Sequence, residues 1–104
     1  MNYKNTLPVI CLALTAQACT RDYAPKASAT GGQIFQAACA ECHTADNKDA
    51  PGMLFTLHSK NANPTYVAHK VHSGSIRMPK FPNIKSNKMR ALSEYVLDHS
   101  LTHS

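Results

Sequence analysis

The chain has 104 residues, with eleven Lys and Arg against six Asp and Glu for a formal net charge of +5. That length allows one small domain, at a size where an apolar core alone is marginal. Trp is absent and aromatic residues make up 7% of the chain, so a core built mainly on aromatic side chains is excluded.

Residues 1–18 read as an export signal. Lys4 gives a positive start, Leu7 to Ala16 form an apolar run broken only by Pro8 and Thr15, and Ala16-Gln17-Ala18 offers a small-residue cleavage site. The run is too short to span a bilayer. Cys19 follows at once, and Leu14 to Cys19 resembles the box before a lipidated cysteine in bacterial lipoproteins, with Ala16 where Leu is usual. Two outcomes stay open for Cys19. It becomes a lipid anchor to a membrane, or it is left as a free thiol, a liability in an oxidising compartment. Cys11 lies inside the leader and leaves with it. Thr20 to Ala29 is polar and lacks apolar periodicity, so residues 19–29 are expected to form a tether and residues 30–104 the folded domain.

Thr30-Gly31-Gly32-Gln33 has the form of a capping box, in which the Thr hydroxyl and the Gln amide satisfy free backbone donors at a helix start. The helix carries Ile34, Phe35, Ala37 and Ala38 toward Cys39-Ala40-Glu41-Cys42-His43. This C-x-x-C-H run is the strongest signal in the chain. Its spacing lets two thiols add to the two vinyl groups of one porphyrin, giving thioethers, and sets a neutral imidazole to ligate the iron. Two rival readings are weaker. A thioredoxin-like redox disulfide needs a strand before the pair, and none is signalled. A structural zinc site needs a second ligand pair, which His69 and His72 could supply.

Asp46 to Gly52 is a polar loop ending in Pro51-Gly52, and Met53, Leu54, Phe55 and Leu57 form an apolar cluster expected to fold back on the haem. Asn63-Pro64 reads as an N-cap followed by proline at the first helical position, for a helix running to about Ser73 and ended by Gly74. Val67 and Val71 share its apolar face, while His69, Lys70 and His72 are mostly outward. Residues 75–85 are irregular, punctuated by Pro79 and Pro82. Ser86 is the candidate N-cap of the last helix, which carries Met89, Leu92 and Val96 on one stripe with Tyr95 beside them. His99 and His103 fall in the tail and receive no role. Strand signals are nearly absent, so the expected fold is all-α, with three to four helices wrapped around one covalently bound haem.

Met78, followed by Pro79, lies 35 residues after His43, in a proline-stiffened stretch suited to crossing the haem. A thioether ligand there favours ferrous iron and raises the reduction potential. The alternative is a methionine that merely fills the core. His58, His69 and His72 are rival ligands. His58 is the strongest of them, because His69 and His72 lie opposite the Val67–Val71 face.

With these residues in view, the chain resembles a class I cytochrome c, the small monohaem kind exported by bacteria, from residue 31 to about 98. Gly32 and Phe35 match the family's glycine and aromatic ahead of the attachment motif. Met78-Pro79 matches its ligand loop, and Leu92 with Tyr95 its last helix. The resemblance implies that the first and last helices cross closely, with Gly32 touching Tyr95. It also implies that the Pro51 carbonyl accepts a bond from His43, orienting the ring and raising its basicity. Thr56 to Asn63 shows little helical pattern, so the family's middle helix is expected to shrink to a turn or two.

The expected cofactor is one haem c with its iron, held by Cys39 and Cys42 and ligated by His43 and Met78, after attachment by the periplasmic haem maturation machinery. Phe35, Leu54, Val71, Ile76 and Phe81 are expected to line the pocket, with Ile34, Phe55, Val67 and Leu92 lining or backing it. The expected function is one-electron transfer between respiratory redox partners in the periplasm, and not catalysis. No distal acid–base pair of the kind a peroxidase needs is identifiable. Two alternatives remain, a haem-based ligand sensor with an open sixth position and a haem subunit of a larger respiratory enzyme. From Ala50 to Ser93 there are seven cations and no acid, a distribution that suits steering of a partner with an acidic docking face. The cations lack a recognition motif or a base-stacking aromatic cluster, which excludes nucleic acid.

Overall fold

Side chains that satisfy free backbone donors determine where two of the three helices begin. Thr30 Oγ1 accepts the Gln33 N–H at 3.1 Å and Gln33 Oε1 accepts the Thr30 N–H at 2.9 Å, so the capping box forms and opens α1, Gly31–Ala38. Asn63 Oδ1 accepts the Tyr66 N–H at 2.9 Å, and Pro64 occupies the first position of α2, Pro64–Ser73. Gly74 at φ 65° ends that helix, in a backbone region that side chains other than glycine rarely enter. The third helix, α3, Ser86–Asp98, starts differently. Its N-cap is Lys85 with no side-chain cap bond, and Ser86, expected as the cap, is the first helical residue with φ 52°.

These elements come from a computed structural model of the chain, which describes residues 21–45 and 48–104. The expected export signal, Cys11, Cys19 and the loop residues Asp46 and Asn47 lie outside the described residues. No helix among the described residues is long and apolar enough to cross a membrane.

One core joins the three helices. Ile34 and Phe35 come from α1, Val67 and Val71 from α2, and Met89, Leu92 and Val96 from α3, with Phe81 and Ile84 added by the loop between α2 and α3. Each large apolar side chain withdrawn from water contributes about 1.5–3 kcal/mol. α1 and α3 cross closely because two glycines open the contact. A Cβ on Gly31 would run into the Ala91 carbonyl, and one on Gly32 would lie 3.1 Å from the Tyr95 ring. The expected approach of Gly32 to Tyr95 is present, but the tightest point is Gly31. The Tyr95 ring then continues onto Phe35, at 5.4 Å between centroids.

The fold is not purely all-α. Phe55–His58 forms strand β1 and Ser100–His103 forms strand β2, paired in parallel with Phe55 opposite Ser100 and His58 opposite His103. Four-residue strands are too short for alternation to stand out. Their pairing is decided instead by the end of α3. There the His99 ring stacks on Tyr95 at 4.1 Å, and the His99 carbonyl accepts the Leu54 N–H at 2.7 Å. The tail is thus part of the fold. Between β1 and α2 the middle of the chain holds a single 3₁₀ turn, Ser59–Asn61.

The segment before α1, expected as a tether, lies against the domain from Arg21 onward. The Arg21 N–H donates to the Lys80 carbonyl at 2.8 Å, Asn83 Nδ2 to the Asp22 carbonyl at 3.0 Å, and Lys88 Nζ to the Ala29 carbonyl at 2.8 Å. Tyr23 and Ala29 pack on the core. An extended segment held by backbone bonds needs no apolar period, so no local pattern signals its docking.

Replacing Gly31 with Ala should lower the stability of the haem-loaded protein by about 1–3 kcal/mol, the usual cost of overpacking. Gly32→Ala should cost much less, because the gain in helix propensity, about 1 kcal/mol, offsets the push on the Tyr95 ring. Urea denaturation midpoints of the two variants check the order. Equal losses would place the closest approach elsewhere.

Candidate haem site

The attachment motif continues directly from α1. Cys39 caps the helix with its N–H on the Phe35 carbonyl at 2.8 Å, and the chain winds on through Cys42 N–H and His43 N–H, both on the Cys39 carbonyl, at 3.2 and 3.0 Å. Cys39 and Cys42 are not joined to each other. Beside this turn lie two cavities of about 220 and 250 Å³. The first is walled by Phe35, by Phe55 and Leu57 of β1, by Tyr66, Val67, Lys70 and Val71 of α2, and by Leu92 and Val96 of α3. The second is walled by Arg21, Ala38, Glu41, Cys42, Arg77, Pro79 and Phe81. Cys39, His43 and Met78 border both.

Together the two spaces fall within the roughly 300–1,000 Å³ that cofactor sites occupy. The donor set suits a haem. Two thiols, one imidazole and one thioether converge on an apolar slot, the chemistry needed for covalent porphyrin attachment and iron ligation. No group of three or more His, Cys, Asp or Glu able to hold a metal ion occurs among the described residues.

Residues 26–96 match the family model described as cytochrome c oxidase, cbb3-type, subunit III. The chain belongs to this family of c-type cytochromes. Its cofactor is covalently bound haem c with iron, one haem being appropriate to a domain of this size, and its chemistry is haem-based electron transfer. Comparison with curated proteins and with solved structures gives no match.

Burial tunes the cytochrome's own groups. It holds the His43 imidazole below its usual range, so the ring is neutral near pH 7 and ready to ligate. The Cys39 thiol is pushed up to about 11, first by burial and then by the neighbouring Cys42. The His43 ring lies 4.9 Å from that of Phe55, which in turn meets Phe35 edge-on at 6.2 Å.

The expected pocket residues divide. Phe35 and Val71 border the first cavity and Phe81 the second. Leu54 is half-buried against the core but borders neither. Ile76 is 98% exposed. It stands outside both cavities, because the bend through residues 76–78 turns it to solvent while Met78 faces in. Pro51 is exposed, at the turn before Gly52 with its φ of 84°. Among the described residues no hydrogen bond joins it to His43, and Phe55 is the neighbour of that ring. The rival histidines also lie elsewhere. His58 Nδ1 accepts the Lys60 N–H at 3.1 Å and its ring meets His103 at 5.4 Å, while His69 and His72 are exposed.

Sequence reasoning missed Tyr66 and Lys70. Val67 and Val71 mark the apolar stripe of α2, and Lys70, expected to point mostly outward, borders the cavity instead. Tyr66 and Lys70, also four apart, lie one step round the helix and broaden the face that meets the cavity.

In haem-free cytochrome at mildly alkaline pH, iodoacetamide should modify the exposed Cys42 before the half-buried, harder-to-ionise Cys39. Peptide mass spectrometry over a time course reads the order, and equal rates would show that Cys39 is not shielded.

Proposed function

We propose that this cytochrome is an exported one-electron carrier whose haem is linked through Cys39 and Cys42 and whose iron is ligated by His43 and Met78. One observation carries the reading: His43 and Met78, from distant parts of the chain, border the same two cavities as Cys39. Bound in this way, the haem supplies an iron that passes between ferrous and ferric states without exchanging ligands.

The chain's own residues keep reorganisation small. Phe55 packs on the His43 ring and fixes its plane. The Met78 loop is closed on itself, with Ser75 N–H on the Met78 carbonyl at 2.9 Å and Met78 N–H on Ser75 Oγ at 3.3 Å. Gly74 makes this closure possible, since a Cβ there would lie 2.6 Å from the Met78 carbonyl. Phe35, Val67, Val71 and Leu92 exclude water from the ligand side, which with the thioether favours the reduced state.

Residues 1–18 serve as the export signal and Cys19 as the lipid anchor, so that haem attachment by the maturation machinery and electron transfer both occur in the periplasm. Partners with an acidic face dock where Ile76, 98% exposed, projects among the exposed cations Arg77 and Lys80. Arg77 also borders the second cavity, beside Cys42 and Met78. An apolar tip with a charged surround suits a weak, quickly formed contact.

The family's description as an oxidase subunit favours a second reading, in which the same domain is fixed as the haem subunit of a larger respiratory enzyme. Native electrophoresis of a mild detergent extract separates the two. A carrier migrates near the mass of one chain, and a subunit migrates with its complex.

Met78→Ala should abolish the weak near-infrared sulfur-to-iron band of the ferric protein and shift its spectrum toward high spin. A variant that keeps the band refutes Met78 as ligand. Ile76→Ser should leave that spectrum and the stability unchanged while slowing turnover with the physiological partner, and raising salt should slow the wild type as well. Turnover indifferent to both changes removes the docking assignment.

A further inference from the structure

The loop that carries Met78 is secured by two kinds of bond. Those between Ser75 and Met78 close it on itself, so they travel with the loop and do not oppose its swinging away as a unit. Opposition comes from bonds to the rest of the molecule. The Phe81 N–H donates to the Val71 carbonyl of α2 at 2.9 Å, the Arg21 N–H to the Lys80 carbonyl at 2.8 Å, and Asn83 Nδ2 to the Asp22 carbonyl at 3.0 Å. The last two reach the segment before α1, with Asn83 and Asp22 standing 61 residues apart in the chain.

That segment is itself built into the domain. The Ala29 N–H donates to the Lys26 carbonyl at 3.0 Å, Lys88 Nζ donates to the Ala29 carbonyl at 2.8 Å, and Tyr23 is half-buried against the core. It runs on through Thr30 into α1, which leads to Cys39, Cys42 and His43. Arg21 also borders the second cavity together with Cys42 and Met78, so the tie is made beside the site. We infer that residues 21–29 are a strap that keeps Met78 in ligating position, with Asn83 as a positioning residue, an inference that rests on the axial reading above. The strap joins the part of the chain that supplies His43 to the part that supplies Met78. When it is released, the loop opens more often and a small nitrogen ligand such as imidazole displaces the Met78 thioether. The entering ligand binds only the open form, so its apparent affinity rises with the population of that form.

The test is imidazole titration of the ferric, haem-loaded protein, followed by loss of the near-infrared sulfur-to-iron band, on the wild type, N83A, R21P, R21A and K88Q. Proline has no N–H and removes the bond to the Lys80 carbonyl, whereas R21A keeps it. N83A and R21P should each bind imidazole about two- to tenfold more tightly, the usual worth of one hydrogen bond, and R21A should shift less than R21P. Hydrogen exchange across residues 21–24, read by peptide mass spectrometry, should quicken in N83A as that end comes free. K88Q loosens the strap at Ala29, far from the loop, and should lower the urea midpoint while leaving imidazole affinity unchanged. Wild-type affinity in N83A and R21P overturns the inference. Equal tightening in K88Q also overturns it, because the effect would then be general loosening of the fold. A wild type that lacks the band defeats Met78 as ligand, a failure of the axial reading that shows before any variant is compared.

Discussion

The domain depends on filling an apolar slot. Side chains of all three helices and of β1 wall the first cavity, and the core residues Phe35, Val67, Val71, Leu92 and Val96 end at its surface. Apolar walls left facing water forfeit about 25 cal/mol for each Å² that an occupant would cover. Native domains are stable by only about 5–15 kcal/mol in total. The group that occupies the slot is therefore as important to the fold as any helix contact, and covalent attachment keeps it there in both oxidation states.

Everything around the slot serves to hold its opposing walls. The close crossing of α1 and α3 at Gly31 and Ala91 brings Phe35 against Tyr95 and sets where Cys39 leaves the helix. On the other side Gly74 and Ser75 close the loop that carries Met78, and the segment from Arg21 braces that loop through Lys80 and Asn83. β2 returns from the end of α3 to pair with β1 and so fixes Phe55 beside His43. Segments far apart in the chain thus converge on the attachment turn, which suits a redox centre that should move little between its two states.

The surface divides labour in a related way. The end of the site near Cys42 is bordered by Arg21, Arg77, Pro79 and Phe81, and Ile76, next to Arg77 in the chain, is exposed. The other end is bordered by Tyr66 and by Lys70, which is half-buried. Cations that the sequence presents as one undivided excess are placed differently, Arg21 and Arg77 at the second cavity and Lys70 at the first.

By itself the sequence determined the chemistry and the starts of α1 and α2. Cys39, Cys42 and His43 carry reactivity in their spacing, and Thr30, Gln33, Asn63, Pro64 and Gly74 act through bonds that span at most four residues, so both are legible locally. The tertiary structure alone decided the rest. It paired β1 with β2, laid Arg21 on Lys80, turned Ile76 and Pro51 to solvent, put Phe55 on His43, and brought Lys70 to the cavity wall. Those outcomes depend on contacts between segments tens of residues apart, where burial and backbone pairing are settled by what arrives from elsewhere in the chain. No local pattern encodes them.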